Sequence, residues 1–346
     1  MELLKDILLQ LSMAYAPSGR EHTATEIIEK FLLKYTKDIK KDALGNIIAV
    51  IPSKKTNAKK IMLDAHYDEI SLMVTNIDDD GFVKFTSPFG VDIRSLLAKE
   101  VIIHGVQEVF GIVSSKPPHL LSDEEMQKAY KVEDLAIDIG FNNEKANKLI
   151  NIGDSITFKA RTTNLKNDII CGKSVDNRAG VTAIIGCLEL LKNINLEVEL
   201  IVLFSVQEEA GTKGAKVGAY TVNPDTAIVV DVSHAFTPDA SKDETGEMGK
   251  GVMIGISPIL KREISAELTQ LAKENEIPFQ TEVMSDNTGT NAASIQIARS
   301  GIPTGLISIP LKYMHSPCET VMLSDIECVS RLLAEFVKGI REGETI

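Results

Sequence analysis

Tryptophan is absent from the 346-residue chain, and aromatic residues make up only 5% of it. Long apolar runs are missing as well, and none approaches the ~18–20 residues that a membrane-spanning helix needs. The N-terminal stretch MELLKDILLQLSMAYAPSGREH lacks the basic start, the long apolar centre and the small-residue cleavage site of a secretory signal. We therefore expect a cytoplasmic protein without a membrane partner.

Positive charge is scarce relative to negative charge. The chain has 37 lysine and arginine residues against 49 aspartate and glutamate residues, which gives a formal net charge of −12. No basic patch stands out that could meet the phosphates of DNA or RNA, so we expect no nucleic-acid partner. The four cysteines form no CxxC pair, which predicts reduced thiols rather than a disulfide or zinc framework.

Helix and strand patterns alternate near both ends of the chain, whereas the pattern of the middle is mainly of the β type. LLKDILLQLSMA and RAGVTAIIGCLELLKN have helical spacing, NAASIQIARSG (291–301) is a further helix candidate, and KKIMLDAHYD contains a buried strand. The middle consists of short β-type runs broken by Gly, Asp and Pro. This predicts an α/β domain formed by residues 1–70 and 161–346, interrupted by a β-rich insertion at 71–160 that forms a small barrel or sandwich.

Acidic residues and histidines cluster where apolar runs end. They occur in LDAHYDE, GKSVDNRAG, LFSVQEEAG, VVDVSHA and LKYMHSP. In open α/β sheets, ligands and reactive groups gather beyond the carboxyl ends of the strands, so these positions predict one shared site. Its candidate metal ligands are His66, Asp176, Glu209, Asp231 and His315.

The types of these residues indicate two divalent metal ions. Imidazole nitrogens and carboxylate oxygens suit a borderline divalent cation, and zinc is the expected ion, with cobalt and manganese as alternatives. Five protein ligands exceed what one tetrahedral catalytic ion needs. They suit two ions ~3.5–4 Å apart that share a bridging carboxylate and a bridging water.

Two further acids, Asp68 and Glu208, stand beside these ligands. His66 and Asp68 are two residues apart, so on an extended chain both side chains point to one face and Asp68 could orient the imidazole. Glu208 and Glu209 are neighbours that diverge, so one can be a ligand while the other acts as general base, as in metal-assisted hydrolysis. Each motif alone also fits a structural role such as a satisfied pair, a solvated turn or a helix cap. Their conjunction favours a site.

The motifs AHYDEI, GKSVDNRAG, QEEAGTKGA, VDVSHA and YMHSP, in this order, resemble those of the tetrahedral (TET-type) aminopeptidases. These are dinuclear metallopeptidases that include glutamyl and deblocking aminopeptidases. APSGRE, SKPPHLLS and TGTNAASI are similar too, so the resemblance covers essentially the whole chain. It implies a zinc-aminopeptidase-like α/β catalytic domain, in which helices flank a mixed sheet, with an inserted small β-barrel domain. It also implies peptide substrates and a homo-oligomer, a dodecameric shell built from dimers through the insertion.

The resemblance also implies a role for each candidate residue. Matched motif by motif, the roles are His66 and Asp231 for one ion, Glu209 and His315 for the other, Asp176 as the bridge, Glu208 as the general base and Asp68 as the support for His66. Asn291 stands where relatives often have aspartate, which is expected to affect local substrate contacts rather than the metals. Lys116 and His119 in SKPPHLLS are candidates for reaching a neighbouring subunit's site, although a proline-rich structural loop is the simpler interpretation.

The insertion carries none of the candidate ligands. Its strand edges and its apolar face need to be covered, and a symmetric partner is the usual solution. This favours assembly through residues 71–160.

A glycoside hydrolase is the alternative enzyme class. Glu208 with Asp176 or Asp231 could form its carboxylate pair. The scarcity of aromatic residues leaves few platforms for stacking sugars, and a carboxylate pair gives no reason for His66 and His315.

A non-catalytic metal-binding or assembly protein is the third class. The intact pair of Glu208 and Glu209 argues against it, because a protein that has lost its catalytic activity is expected to have lost its general base. The preferred N-terminal residue of a peptide substrate is not indicated by the sequence.

Overall fold

The computed structural model describes residues 1–238, 240–285 and 287–339. The last part of the predicted α/β domain, residues 340–346, lies outside the described residues. The α-helices are α1 (Glu2–Met13), α2 (His22–Leu32), α3 (Asp123–Met126), α4 (Asn143–Leu149), α5 (Val175–Leu191), α6 (Lys213–Val222), α7 (Arg262–Glu274), α8 (Ala292–Ile295) and α9 (Leu323–Gly339).

The β-strands form one large sheet and one barrel. The strands are β1 (Ile39–Lys41), β2 (Ile47–Ile51), β3 (Lys60–His66), β4 (Leu72–Ile77), β5 (Val83–Thr86), β6 (Glu100–His104), β7 (Glu108–Ser115), β8 (Leu135–Asp138), β9 (Ser155–Phe158), β10 (Thr163–Asn164), β11 (Ile169–Gly172), β12 (Glu199–Ser205), β13 (Thr226–His234), β14 (Val252–Ile256), β15 (Phe279–Val283), β16 (Thr304–Lys312) and β17 (Glu319–Met322).

The large sheet is mixed. Its main path runs β1-β2-β12-β3-β13-β16-β17-β11-β10, and β14 joins β16 and carries β15 on its other side. The four central strands β12, β3, β13 and β16 are parallel neighbours, whereas β2, β14 and β17 run antiparallel to the central strands that they pair with. Central parallel strands are buried on both faces, which explains why β3 and β13 are almost continuous apolar runs.

Helices cover the sheet on both faces. On one face, Leu63 of β3 and Phe204 of β12 belong to a core cluster that also contains Ile184 of α5 and residues of α1 and α9. On the other face, Met62 of β3 packs in a separate cluster with Ala215 of α6 and residues of α8. The alternation of side chains along each strand supplies both layers at once.

The second structural unit is a closed six-stranded barrel in the order β4-β5-β8-β7-β6-β9. All six strands lie between Leu72 and Phe158, and the barrel has its own apolar core. Neighbouring strands are antiparallel throughout. Because the ring is closed, the expectation that the insertion exposes strand edges is wrong; closure itself removes them.

The predicted fold class is confirmed: helices flank a mixed sheet, and a small β-barrel accompanies it. One predicted helix is shorter than expected. Within residues 291–301 only α8 is helical, because Arg299 (φ 52°) and Gly301 (φ 99°) adopt left-handed backbone conformations before the chain enters β16. In the described part of the chain, no helix has the length and apolar character needed to cross a membrane.

Candidate metal centre and active site

The candidate site lies at the carboxyl ends of the parallel strands. His66 is the last residue of β3 and pairs in register with Ser205, the last residue of β12. Asp231 of β13 lies opposite Ser308 of β16. Glu208, with Glu209 after it, follows β12 by a short turn. The sheet therefore collects candidate residues from three segments at one edge, as expected for an open α/β sheet.

Asp176 lies at the centre of the candidate ligands. Its Oδ1 is 3.2 Å from Nε2 of His66, and its Oδ2 is 3.6 Å from Nε2 of His315. Oδ1 of Asp231 lies 3.7 Å from Nε2 of His66, and Oε2 of Glu209 lies 3.3 Å from Nε2 of His315. The five predicted ligands thus meet in one place, as two groups that share Asp176.

Glu208 belongs to the same cluster. Each of three groups offers one ligand atom per residue with all atoms within 4.8 Å of one another: His66, Asp176 and Asp231; Asp176, Glu209 and His315; and His66, Glu208 and Glu209. The first two groups match the pairing that the family resemblance implies. The third places Glu208 beside the ring of His66, within reach of a molecule bound between the two groups.

Asp68 is fully buried behind the cluster. Its Oδ1 lies 3.3 Å from Nδ1 of His66 and accepts the backbone N–H of Glu208 (3.0 Å), while its Oδ2 accepts the backbone N–H of Glu209 (3.2 Å) and the hydroxyl of Ser18 (2.5 Å). Burial opposes ionisation, but the His66 ring and these hydrogen bonds hold the pKa of Asp68 below its usual range. Asp68 therefore fixes both the imidazole and the backbone of the two glutamates.

Glu319 is a residue of the site that the sequence analysis missed. This fully buried carboxylate on β17 accepts the backbone N–H of Asp176 through Oε2 (3.0 Å) and the backbone N–H of His315 through Oε1 (2.9 Å). Burial raises its pKa well above the ordinary value, and the charge of Asp176 adds to the effect. The only sequence signal was an acid at the start of the otherwise uncharged strand ETVM, four residues after His315.

A loop on the barrel side also reaches the cluster. The Nδ1–H of His315 donates to the carbonyl oxygen of Gly90 (3.1 Å), which leaves Nε2 to face Glu209 and Asp176. Gly90 has a φ of 75°, and a Cβ there would lie 3.0 Å from Nδ1 of His315. A glycine is therefore favoured both by the backbone conformation and by the close approach of the ring.

The electrostatics of the cluster fit bound cations. Burial raises the pKa of Glu208 to about 9 and that of Glu209 to about 7, and neighbouring carboxylates contribute to both shifts. Burial also raises the pKa of Asp231. For His315, burial alone would lower the pKa, but contact with Glu209 raises it to about 10. Buried carboxylates this crowded need positive charge to remain ionised, and nitrogen and oxygen donors together suit divalent cations.

A cleft of about 410 Å³ opens above the cluster. Its walls come from the ends of β13 and β15 and from the loop that follows β15, including Thr288, Gly289 and Thr290. His234, which is part of the motif VVDVSHA but was not among the candidate ligands, lines the cleft as well. A cleft of this size holds a few residues of an extended peptide at most.

The structure shows the surroundings of three further residues that the sequence analysis named, and the role of Lys116 and His119 at a neighbouring subunit stays a prediction. Asn291 does not face the cleft: it is 1% exposed, and its amide donates to Oδ2 of Asp64 (2.9 Å) and to the hydroxyl of Ser205 (2.8 Å). An effect of Asn291 on substrate contacts would therefore be indirect. Lys116 forms an ion pair of 3.2 Å with exposed Glu125 in its own loop, and His119 is also exposed.

Comparison with known proteins places this geometry in a family. A sequence profile described as M42 glutamyl aminopeptidase matches residues 45–332. The lysyl aminopeptidase of Pyrococcus furiosus is 31% identical over 346 residues, covering 98% of this chain and 97% of that protein.

Solved structures agree. The TET aminopeptidase from the marine sediment archaeon Thaumarchaeota archaeon SCGC AB-539-E09 superimposes with a TM-score of 0.93 at 28% identity, covering 99% of this chain and 97% of that one. The TET1 peptidase of Pyrococcus horikoshii, which can assemble into a tetrahedron or a large octahedral shell, gives 0.86 at 30% identity, covering 97% and 100%. The chain therefore belongs to the M42 family of glutamyl aminopeptidases and is an aminopeptidase, a hydrolase that acts on peptides.

Proposed function

We propose that the enzyme is a two-metal aminopeptidase of the cytoplasm that removes single residues from the N-termini of peptides. The observation that carries the proposal is the position of Asp176, whose two carboxylate oxygens face two different histidines, at 3.2 Å for His66 and 3.6 Å for His315. His66 and Asp231 would hold one ion and Glu209 with His315 the other, with Asp176 shared. Zinc is the proposed metal, with cobalt and manganese as alternatives.

Two divalent cations held there would lower the pKa of a water between them and stabilise a developing oxyanion. The remaining work falls to the chain itself. Glu208 takes the proton of the attacking water and returns it to the leaving amine. Burial raises the pKa of Glu208 to about 9 in the metal-free protein, and bound cations would lower it, so that the carboxylate is ionised when the water approaches. Asp68 keeps Glu208 in place through the backbone N–H at 3.0 Å.

The test is activity of the chelated enzyme refilled with each metal. A panel of aminoacyl-p-nitroanilides should be hydrolysed after zinc, cobalt or manganese is restored and not before. The matched N-acetylated substrates should remain intact, because they have no free N-terminus. Hydrolysis of β-glucan by the chelated enzyme, with no activity on the panel, would instead support the glycoside hydrolase that Glu208 and a second carboxylate could form.

We further propose that the enzyme assembles into a homo-oligomeric shell, dodecameric and built from dimers, and that residues 71–160 mediate the contacts. The tetrahedral and octahedral assemblies of the Pyrococcus horikoshii relative support this. The outer barrel surface supports it too, since Phe110 and Ile112 on β7 are each 44% exposed and Leu120 is 65% exposed. Sedimentation of the purified protein tests the assembly, and a monomer at micromolar concentration would contradict it without affecting the catalytic proposal.

A further inference from the structure

Glu282 of β15 is a largely buried carboxylate in the wall of the active-site cleft, and neither metal binding nor proton transfer uses it. Its neighbours Thr281 and Val283 are exposed, so Glu282 is the residue of this part of β15 that turns inward. Its Oε2 accepts the hydroxyl of Ser308 (2.7 Å), and its Oε1 accepts the hydroxyl of Ser233.

These two serines place Glu282 beside the metal cluster. Ser308 of β16 pairs in register with Asp231, and Ser233 lies two residues beyond Asp231 on the same strand. Side chains two residues apart on a strand point to the same face. The carboxylate of Glu282 therefore lies on the sheet face that carries Asp231. It is level with Ser233, two residues further along β13.

Among the described residues, the side-chain contacts of Glu282 are with two hydroxyl groups, and the ring of His234 lies in the same cleft wall. Both of its hydrogen bonds come from neutral hydroxyl groups, and no lysine or arginine of the described residues pairs with it. A carboxylate offers about four acceptor positions, so two remain free. Burial raises the pKa of Glu282 and the nearby charge of Asp231 adds to this, whereas the two serine hydroxyls and His234 lower it.

Two methionine side chains lie among the polar residues of the cleft, because Met284, two residues beyond Glu282, and Met314 both line it. An apolar side chain next to a carboxylate matches the side chains of lysine and arginine, which have an apolar stem and a cationic tip.

We propose that Glu282, held by Ser233 and Ser308, is a recognition subsite for the cationic side chain of an N-terminal lysine or arginine. The proposal rests on the aminopeptidase function proposed above and names the class of substrate that the same cleft prefers. Lysine or arginine would be bound with its stem along Met284 and its charged group at the two free acceptor positions of Glu282. The α-amine and the scissile carbonyl would then remain at the metal cluster.

The experiment compares lysyl-p-nitroanilide with norleucyl-p-nitroanilide, whose side chain lacks only the terminal ammonium group. One charge-assisted hydrogen bond predicts that kcat/KM of the wild-type enzyme is about 10–100-fold higher for lysine. In Glu282→Gln the ratio of the two kcat/KM values should fall by about that factor, and arginyl-p-nitroanilide should follow lysine. Glu247→Gln, which removes the same charge from an exposed position outside the cleft, should leave the ratio at its wild-type value.

Two results would overturn the proposal. One is a wild-type enzyme that hydrolyses norleucine as well as lysine, a measurement that needs no variant and so does not depend on whether Glu282→Gln folds. The other is an equal fall for both substrates in Glu282→Gln, which would assign Glu282 to the α-amine or to packing. Failure of the metal-loaded enzyme on every aminoacyl substrate would instead contradict the aminopeptidase mechanism itself.

Discussion

Replacement of Glu319 should weaken both proposed metal sites at once. Its two carboxylate oxygens accept the backbone N–H groups of Asp176 (3.0 Å) and His315 (2.9 Å), and the side chain is fully buried. A hydrogen bond contributes about 0.5–1.5 kcal/mol with a neutral acceptor and about 1.5–3 kcal/mol with a charged one, so Glu319→Ala forfeits about 1–6 kcal/mol divided between folding and metal binding, with the upper part of the range for the ionised carboxylate. In Glu319→Gln the amide oxygen can still serve one N–H, while the amide NH₂ faces the other donor.

The measurement is metal content after dialysis against a fixed concentration of free zinc, together with urea unfolding of the metal-free protein. If Glu319→Gln weakens the binding of each ion by about 1.4 kcal/mol or more, the affinity for each ion drops at least tenfold.

Asp325 offers a matched control. It is as deeply buried as Glu319, and its carboxylate likewise accepts two backbone N–H groups, those of Gly249 (2.7 Å) and Gly251 (2.9 Å), but it does not line the cleft. Asp325→Asn should therefore reduce the free energy of unfolding by a similar amount and retain full metal content. If the Glu319 and Asp325 variants lost stability equally and both kept their metal, Glu319 would be a structural residue only.

Three other predictions concern the metal cluster. Glu208→Gln should keep both ions and lose about 10²–10⁴-fold in kcat, because an amide cannot take the proton of the water; near-normal turnover at full metal content would exclude this role. Asp176→Ala should deplete both ions and His315→Ala mainly one, so that equal single-ion losses by elemental analysis would contradict the shared carboxylate. Metal binding at neutral pH should release protons, and affinity should increase with pH, because the pKa values of Glu208 (about 9) and His315 (about 10) lie above neutrality in the metal-free protein. Calorimetry in two buffers of different ionisation enthalpy measures the release, and identical heats in both would refute it.

The location of the site was predictable because it depends on local sequence patterns and one rule of topology. An apolar run that ends in AHYDE or VVDVSHA is visible in a single sequence, and the carboxyl ends of parallel strands share one edge of the sheet. His66 and Asp231 meet for this reason. The division of the chain into 1–70 with 161–346 and 71–160 stays a prediction, although the six barrel strands lie within the last of these ranges.

Apart from Asp68, which is two residues from His66, the residues that support the site were not predictable, because their contacts join segments far apart in the chain. Glu319 acts through backbone N–H groups, which every residue has, so no pattern of side chains marks its partners. Gly90 contributes a carbonyl oxygen, which every residue has as well, so the sequence does not indicate this contact. Closure of the barrel depends on the pairing of β4 with β9, the first and last of its strands, with all the other barrel strands between them in the chain, and no short-range pattern encodes it.

The contact between Gly90 and His315 has a thermodynamic consequence. The carbonyl oxygen of Gly90 fixes the ring of His315, a proposed ligand. It therefore couples two equilibria: the docking of the loop that contains Gly90 against the cluster, and the binding of an ion at His315. Coupling of this kind is reciprocal: whatever free energy the loop adds to ion binding, the bound ion returns to the loop. Subunit contacts that hold the barrel would then increase the affinity for that ion, and removal of the ion would weaken the assembly by the same amount.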